Sequence, residues 1–224
     1  RRPPFVMANP IVFTKTLATA NAANIAASQS PGAGAITLVS VPVIIDTYNA
    51  LTNSSPGRRV LITSGSSDTG ITFTVTGTNA SGNTISDTFA GGAVTATSNL
   101  DFVTVTGVTH TGSVASTITI GTSGVGSSPW VTMNYQGFSP MNLGIAVEVT
   151  TGNATYTFDY TYDDPNNLAP GVTTPIVFSV AGLAGATTGS SKDGSILTPI
   201  IATRLSIATG TGTIRVRQVQ AGIG

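Results

Sequence analysis

Apolar and polar residues alternate along much of the chain with a period of two. In Ile71–Thr76 each apolar residue is followed by a threonine. The same pattern recurs in Val103–Thr106 and in Thr117–Ile120. Because successive side chains of a β-strand point to opposite faces of a sheet, this pattern predicts strands that are buried on one face only.

Turn sequences separate these strands at short intervals. They are Ser66–Gly70, Asn79–Asn83 and Ala90–Gly92, in which glycine, serine, asparagine and aspartate recur. Short strands joined by such turns are typical of antiparallel sandwiches. We therefore predict an all-β chain, with a first β-sandwich domain over residues 35–122.

A second series of strand-like segments follows a stretch rich in glycine and serine. This stretch, Gly121–Pro129, ends in proline, and residues 123–129 within it are predicted to be a linker. Residues 130–224 are predicted to form a second sandwich of Ig-like or jelly-roll-like type. Within that domain, Ala184–Ser195 is predicted to be a flexible loop. The predicted strands are Trp130–Asn134, Ile145–Thr150, Ala154–Tyr162, Pro175–Val180, Arg204–Ala208 and Thr213–Val219.

The first part of the chain carries weaker signals. Residues 1–34 are predicted to form an N-terminal arm. Within it, Thr16–Ser30 is rich in alanine and asparagine, and both a short helix and an extended segment on a neighbouring subunit fit this composition. Leu17 and Ile25 are its large apolar residues. A segment with so small an apolar face needs a partner for stability, so both residues are candidate interface contacts.

Composition narrows the classes of function. Hydrophobic residues make up 40% of the chain and charged residues 8%, whereas about 25% charged residues is usual. Nine basic and nine acidic residues give a formal net charge of zero, so the chain lacks the excess of basic residues that nucleic-acid binders carry. Its longest apolar runs are too short to be membrane spans. Scarce charge favours a surface covered by neighbours in an assembly; the alternative is an extracellular β protein kept soluble by threonine and serine.

Residues with catalytic chemistry are few. The chain has no cysteine and one histidine, His110, which lies beside a predicted turn and is expected at the surface. No G-x-S-x-G motif is present. Asp159, Asp163, Asp164 and Glu148 could supply the carboxylate pair of a glycosidase or oxygen ligands for Ca²⁺, but Asp163-Asp164-Pro-Asn is also a favoured β-turn sequence. We expect no enzyme activity, no cofactor and no metal site.

Two strand faces are candidate interfaces. Tyr156, Phe158, Tyr160 and Tyr162 all fall on one side of Ala154–Tyr162, where they form either a core wall or a partner surface. Tyrosine suits both positions because its ring is apolar and its hydroxyl is polar.

Two arginines form the second candidate face. Arg215 and Arg217 share one side of a strand, opposite Ile214 and Val216. In a chain with so few charges they suit salt bridges to a partner subunit, or else a solvated strand face.

Several segments resemble structural proteins of tailed bacteriophages. Arg58–Phe89 (RRVLITSGSSDTGITFTVTGTNASGNTISDTF) is similar to a strand–turn–strand segment of those proteins. Gly121–Val131, Tyr160–Asn166 and the closing hairpin Ala202–Gln220 are similar to them as well. The resemblance covers the chain from about Lys15 and implies a component of the virion.

From this resemblance we expect a protein that binds copies of itself and other virion proteins, with neither nucleic acid nor membrane as a partner. The leading expectation is a capsid decoration (cement) protein that contacts the major capsid protein. One alternative is a tail- or neck-associated adaptor that anchors fibres, and another is a host-glycan-binding or glycan-cleaving domain.

Overall fold

A computed structural model describes residues 11–17, 19–45, 56–133, 142–168, 172, 174–185 and 188–221. These residues form an all-β structure whose strand pairs are antiparallel. They include no helix, and therefore none that is long and apolar enough to cross a membrane. The expected all-β class is confirmed.

The strands are short and follow the alternation seen in the sequence. In chain order they are β1 (Ile11–Leu17), β2 (Asn21–Gln29), β3 (Gly34–Ala35), β4 (Val43–Ile44), β5 (Gly57–Ser64), β6 (Thr72–Thr78), β7 (Thr84–Ala90), β8 (Thr95–Phe102), β9 (Thr104–His110), β10 (Ile118–Ser127), β11 (Val131–Thr132), β12 (Asn142–Gly152), β13 (Thr155–Thr161), β14 (Phe178–Gly185), β15 (Ser191–Ile196), β16 (Ala202–Thr209) and β17 (Gly212–Ala221).

The chain divides into two compact units. The N-terminal unit is Ala18–Pro129, and the C-terminal unit is β1 together with the described residues from Trp130 onward. In the N-terminal unit one sheet has the order β3-β9-β6-β7, with β4 also on β9, and a second group of paired strands runs β2-β10-β5-β8. Buried residues of both groups form one core that includes Phe73, Phe102 and Ile120.

The C-terminal unit has a similar plan. One sheet has the order β1-β17-β12-β15, and a second group of paired strands runs β14-β13-β16-β11. Alternate residues of each group are buried and meet in one core, which includes Val147, Val216, Phe158 and Leu205. Threonine occupies many outward positions, where its branched side chain suits the pleated backbone.

The first described residues differ from the predicted arm. β1 pairs with β17 of the C-terminal unit along its whole length, and β2 pairs with β10 in the N-terminal unit. The helix considered for Thr16–Ser30 is wrong for the part that β2 occupies. Residues 1–10 of the predicted arm lie outside the described residues.

The predicted linker also differs from the structure, because β10 continues through it to Ser127. Glycine and serine serve close packing here. A Cβ on Gly121 would lie 1.8 Å from the carbonyl oxygen of Asn21 in β2, and the Ser127 hydroxyl donates a hydrogen bond of 2.7 Å to Asp101. The unit boundary falls between Pro129 and Trp130, where the second domain was predicted to begin.

Part of the predicted flexible loop Ala184–Ser195 is a strand. β15 occupies Ser191–Ile196 and pairs with β12 through six residue pairs. Gly194 packs closely, since a Cβ there would come within 3.2 Å of the Leu183 side chain in β14. β15 is an exposed edge strand, and its polar, glycine-containing sequence is similar to that of a loop, which is why the sequence predicted a loop here.

Candidate interaction surface

The aromatic stripe of β13 is divided between core and surface. Tyr156 and Phe158 are fully buried and belong to the core of the C-terminal unit. Tyr160 is half-buried against that core, and Tyr162, just beyond the strand, is 49% exposed. The two residues nearer the end of the stripe therefore remain available to a partner, whereas the first two do not.

Phe178 of β14 joins the exposed end of this stripe. The strand register places Phe178 opposite Tyr160, and their rings stack with centroids 5.5 Å apart. Tyr162 meets both rings edge-on, at 5.7 Å from Tyr160 and 5.5 Å from Phe178. We call Tyr160, Tyr162 and Phe178 the aromatic cluster. Because each ring contacts the other two, the cluster is ordered before any partner arrives.

Exposed aliphatic side chains lie just before Phe178 in the sequence and form what we call the aliphatic extension. Ile176 is 67% exposed, Val177 is 38% exposed and Phe178 itself is 41% exposed. The Ile176 backbone N–H donates a 2.7 Å hydrogen bond to Asp163, which holds this segment beside the residue that follows Tyr162. Several exposed apolar side chains in one segment are a common mark of a binding surface.

The hydroxyl group of Tyr160 is uncharged at neutral pH. Loss of hydration raises the pKa of Tyr160 above 10.0, and the neighbouring Tyr162 hydroxyl raises it further. A partner therefore meets a neutral Tyr160 hydroxyl that can donate or accept hydrogen bonds.

The arginine pair is partly satisfied within the chain. Arg217 and Arg215 lie 3.3 Å and 3.9 Å from the same Oε2 atom of Glu148 on β12. The Arg215 and Arg217 side chains remain 42% and 44% exposed, respectively. The strand registers also place Asp193 of β15 on this face, opposite Ala146, so two basic and two acidic residues share it among the described residues.

The two candidate residues near the start of the chain differ in availability. Ile25 lies on β2 with no exposed area and packs in the core of the N-terminal unit. It is therefore a core residue in this structure and offers no surface to a partner. The backbone of Leu17 ends β1 opposite Gly212, and its side chain lies outside the described residues.

The prediction that His110 lies at the surface is wrong. His110 is the last residue of β9, is 5% exposed, and lies opposite Phe73 in the register with β6. Its Nδ1 is 2.6 Å from the carbonyl oxygen of Gly112, which makes Nδ1 the protonated nitrogen. Alternation along β9 places it on the same buried face as Val108.

The carboxylates considered for catalysis are engaged in the fold. Asp163 accepts a hydrogen bond from the Ile176 backbone N–H, and Asp164 accepts one from the Asn166 backbone N–H in the turn. Glu148 pairs with the arginines. No group of three or more His, Asp or Glu side chains within the described ranges is placed to hold a metal ion.

Asp159 is the centre of a buried polar group. It accepts hydrogen bonds from Ser179 at 3.0 Å and Ser206 at 2.5 Å, and it pairs with Arg204 at 3.6 Å. Arg204 in turn lies over the Trp130 ring at 4.7 Å from its centroid. Asp159 is 5% exposed. Because its partners lie on β14 and β16, this buried polar group joins three neighbouring strands and has a structural role.

Sequence reasoning missed Phe178 and Ile176 as surface residues. Their segment was recognised as strand-like, but the contact with Tyr160 and Tyr162 depends on the β13–β14 register, which contains an irregularity between Thr157 and Asp159.

No protein-family model, no curated protein and no solved structure matches the chain.

Proposed function

We propose that this protein is a non-enzymatic structural component of a tailed-phage virion and that it binds neighbouring virion subunits. Each compact unit is, in this proposal, a β-sandwich that serves as a rigid support for binding surfaces. The first placement is a capsid decoration protein on the major capsid protein. The second is a tail- or neck-associated adaptor that anchors fibres.

The exposed aromatic cluster with its aliphatic extension carries this proposal. Rings that are already packed together lose little side-chain entropy when a partner covers them, and aromatic residues are favoured at the centres of interfaces. The low charged fraction, 8% of the chain, supports the same conclusion because an uncharged surface loses less hydration free energy than a charged one when a partner covers it. The sequence resemblance to phage structural proteins supports the virion as the assembly to which the protein belongs.

Substitution of Tyr162 and Phe178 tests this proposal. The double variant Tyr162→Ser/Phe178→Ser removes the two most exposed rings of the cluster. At about 2 kcal/mol for each ring, its affinity for particles that lack the protein should fall by roughly three orders of magnitude. The control is Leu197→Ser, which removes an apolar side chain that is 67% exposed and is not part of the aromatic cluster. This control variant should bind normally.

The same particles separate the two placements. Quantifying the bound protein per particle should give on the order of hundreds of copies on a shell and about 6 or 12 on a tail or neck ring. Normal binding by the Tyr162→Ser/Phe178→Ser variant, with its fold intact by circular dichroism, would refute the role of the cluster.

A host-glycan-binding role is the second candidate. It is favoured by the exposed Tyr162 ring beside the carboxylates of Asp163 and Asp164, since sugars offer apolar ring faces and hydroxyls together. Asp163→Ala/Asp164→Ala should then abolish binding to host surface polysaccharide. Unchanged polysaccharide binding in this variant would remove the glycan hypothesis.

A further inference from the structure

β1 is an edge strand that comes from a distant part of the sequence. It pairs with β17 from Ile11 opposite Gln218 to Leu17 opposite Gly212. It belongs to the C-terminal unit, yet the chain continues from it through residues 18–20 directly into β2 of the N-terminal unit. The C-terminal unit is therefore completed by a strand that is tethered to the other unit.

The β1 side chains that the structure describes make a small apolar contribution. Ile11 is 40% exposed and Val12 is 53% exposed, while Phe13 packs only partly against the core. The deeply buried one among these described side chains is Lys15, at 4% exposure. Burial of an ammonium group opposes the pairing, so backbone hydrogen bonds to β17 supply much of what holds β1 in place.

β17 keeps its position without help from β1. On its other side it pairs with β12 from Gly212 to Ala221, and its side chains Ile214 and Val216 are fully buried in the core. If β1 left, β17 would remain as an edge with unpaired backbone groups, and such an edge recruits another strand. A strand with the sequence of β1 from a second copy fits it residue by residue.

We propose that β1 is exchanged between copies of this chain, so that β1 of one copy completes the C-terminal unit of another. Closed and exchanged forms contain the same β1–β17 contacts, so the contact energy favours neither. The balance is set by the short connection at residues 18–20 and by local concentration. Short connections favour exchange, and a high density of neighbouring copies raises the concentration of acceptor edges. This inference is independent of the virion role.

A pair of single-cysteine variants tests the exchange. The hydroxyl oxygens of Thr16 and Thr213 are 3.0 Å apart across the β1–β17 pair, and the chain has no cysteine of its own. Full-length Thr16→Cys and Thr213→Cys chains, carrying tags of different size, are unfolded together, refolded together and oxidised. We expect a disulfide-linked hetero-pair on non-reducing gels, well above the products formed by either variant alone.

A hairpin pair supplies the matched control. The hydroxyls of Thr74 and Thr88 are 3.1 Å apart in the β6–β7 hairpin, where no distant segment is available for exchange. A mixture of Thr74→Cys and Thr88→Cys chains should give no hetero-pair above background. Equal cross-linking in both mixtures would show random collision and would overturn the proposal.

The double variant Thr16→Cys/Thr213→Cys shows whether this pair can be oxidised. If it oxidises and the mixed single variants form no hetero-pair, the proposal is overturned. Light scattering of the native chain decides independently. A dimer or larger species that becomes monomeric when residues 11–17 are deleted supports exchange, whereas a monomeric native chain, or an oligomer that survives the deletion, overturns it.

Discussion

Lys15 provides a sharp test of how β1 is held. Its side chain points inward from β1 beside Phe13, with the ammonium 5.8 Å from the ring centroid. Burial lowers the pKa of Lys15 from 10.5 to about 8. The folded state therefore disfavours the charged form, and Lys15→Met should stabilise the C-terminal unit at neutral pH because methionine fills the same volume without a charge.

The size of the gain follows from the pKa. A fall from 10.5 to about 8 corresponds to about 3 kcal/mol against the charged form, at about 1.36 kcal/mol for each tenfold change in proton affinity. β1 is an edge strand, so water near the ammonium reduces this cost. The weak attraction of the ammonium to the Phe13 ring is also lost on substitution. We expect Lys15→Met to raise the free energy of unfolding by about 1–2 kcal/mol at pH 7.

The pH dependence has a defined sign. Between pH 8 and 10.5 the unfolded chain still binds the Lys15 proton and the folded chain has released it, so the stability of the native protein rises with pH across this window. The advantage of Lys15→Met should therefore be largest below pH 8 and shrink toward pH 10.5. Comparing the two proteins at each pH cancels the titration of other groups.

Urea unfolding followed by tryptophan fluorescence measures this effect. The chain has one tryptophan, Trp130, which belongs to the C-terminal unit and so reports on the unit that β1 completes. Lys192→Met is the control, because Lys192 is the only other lysine and is exposed on β15. A stability difference for Lys15→Met that is constant from pH 7 to 10.5, or a loss of stability at pH 7, would refute the account of Lys15 as a buried cation.

Three further substitutions test the packing. Tyr156→Phe should raise the free energy of unfolding by about 1 kcal/mol in urea melts, because the buried Tyr156 hydroxyl has no hydrogen-bond partner among the described residues; a loss of stability would reveal a partner. Gly185→Ala should cost about 1–3 kcal/mol in the same assay, since its Cβ would lie 2.8 Å from the Tyr156 ring; a neutral result would contradict this fit. Asp87→Ala should lower the free energy of unfolding by about 2–4 kcal/mol, measured by calorimetry. Asp87 accepts hydrogen bonds from the backbone N–H groups of Asn99 at 2.5 Å and Leu100 at 3.2 Å, and the substitution removes both. The control is Asp193→Ala at an exposed position, which should change the free energy of unfolding by less than about 0.5 kcal/mol.

The strands with regular alternation could be predicted from the sequence. In β6 the period of two identified both the strand and its buried face, since Phe73 and Val75 are buried. In β13 it identified the strand and the aromatic stripe but left open whether the stripe was core or interface. The pattern could not show where a covered face ends: Tyr156 and Phe158 are buried, whereas Tyr160 is half-buried and Tyr162 is 49% exposed.

Glycine, serine and polar residues were harder to interpret. Gly121 and Gly194 occur in sequences typical of a linker and a loop, but each lies in a strand. The backbone of β2 leaves no room for a side chain at Gly121, and the Leu183 side chain lies close to Gly194. The local sequence carries no information about that neighbour. The surface prediction for His110 failed for a related reason. Two contacts allow its ring to be buried, since Nδ1 hydrogen-bonds to the Gly112 carbonyl and the ring packs against Phe73.

The acidic residues connect the fold to the proposed role. Nearly all of those in the described ranges act as acceptors for nearby backbone, hydroxyl or guanidinium groups: Asp68, Asp87, Asp101, Glu148, Asp159, Asp163 and Asp164. A carboxylate that accepts such hydrogen bonds fixes the groups around it, and those groups compensate its charge locally. Exposed residues that remain available to a partner include threonines on outward strand faces and the aromatic cluster. Such a surface recognises through shape, apolar burial and strand pairing, and these are the interactions by which β1 and the aromatic cluster would bind neighbouring chains.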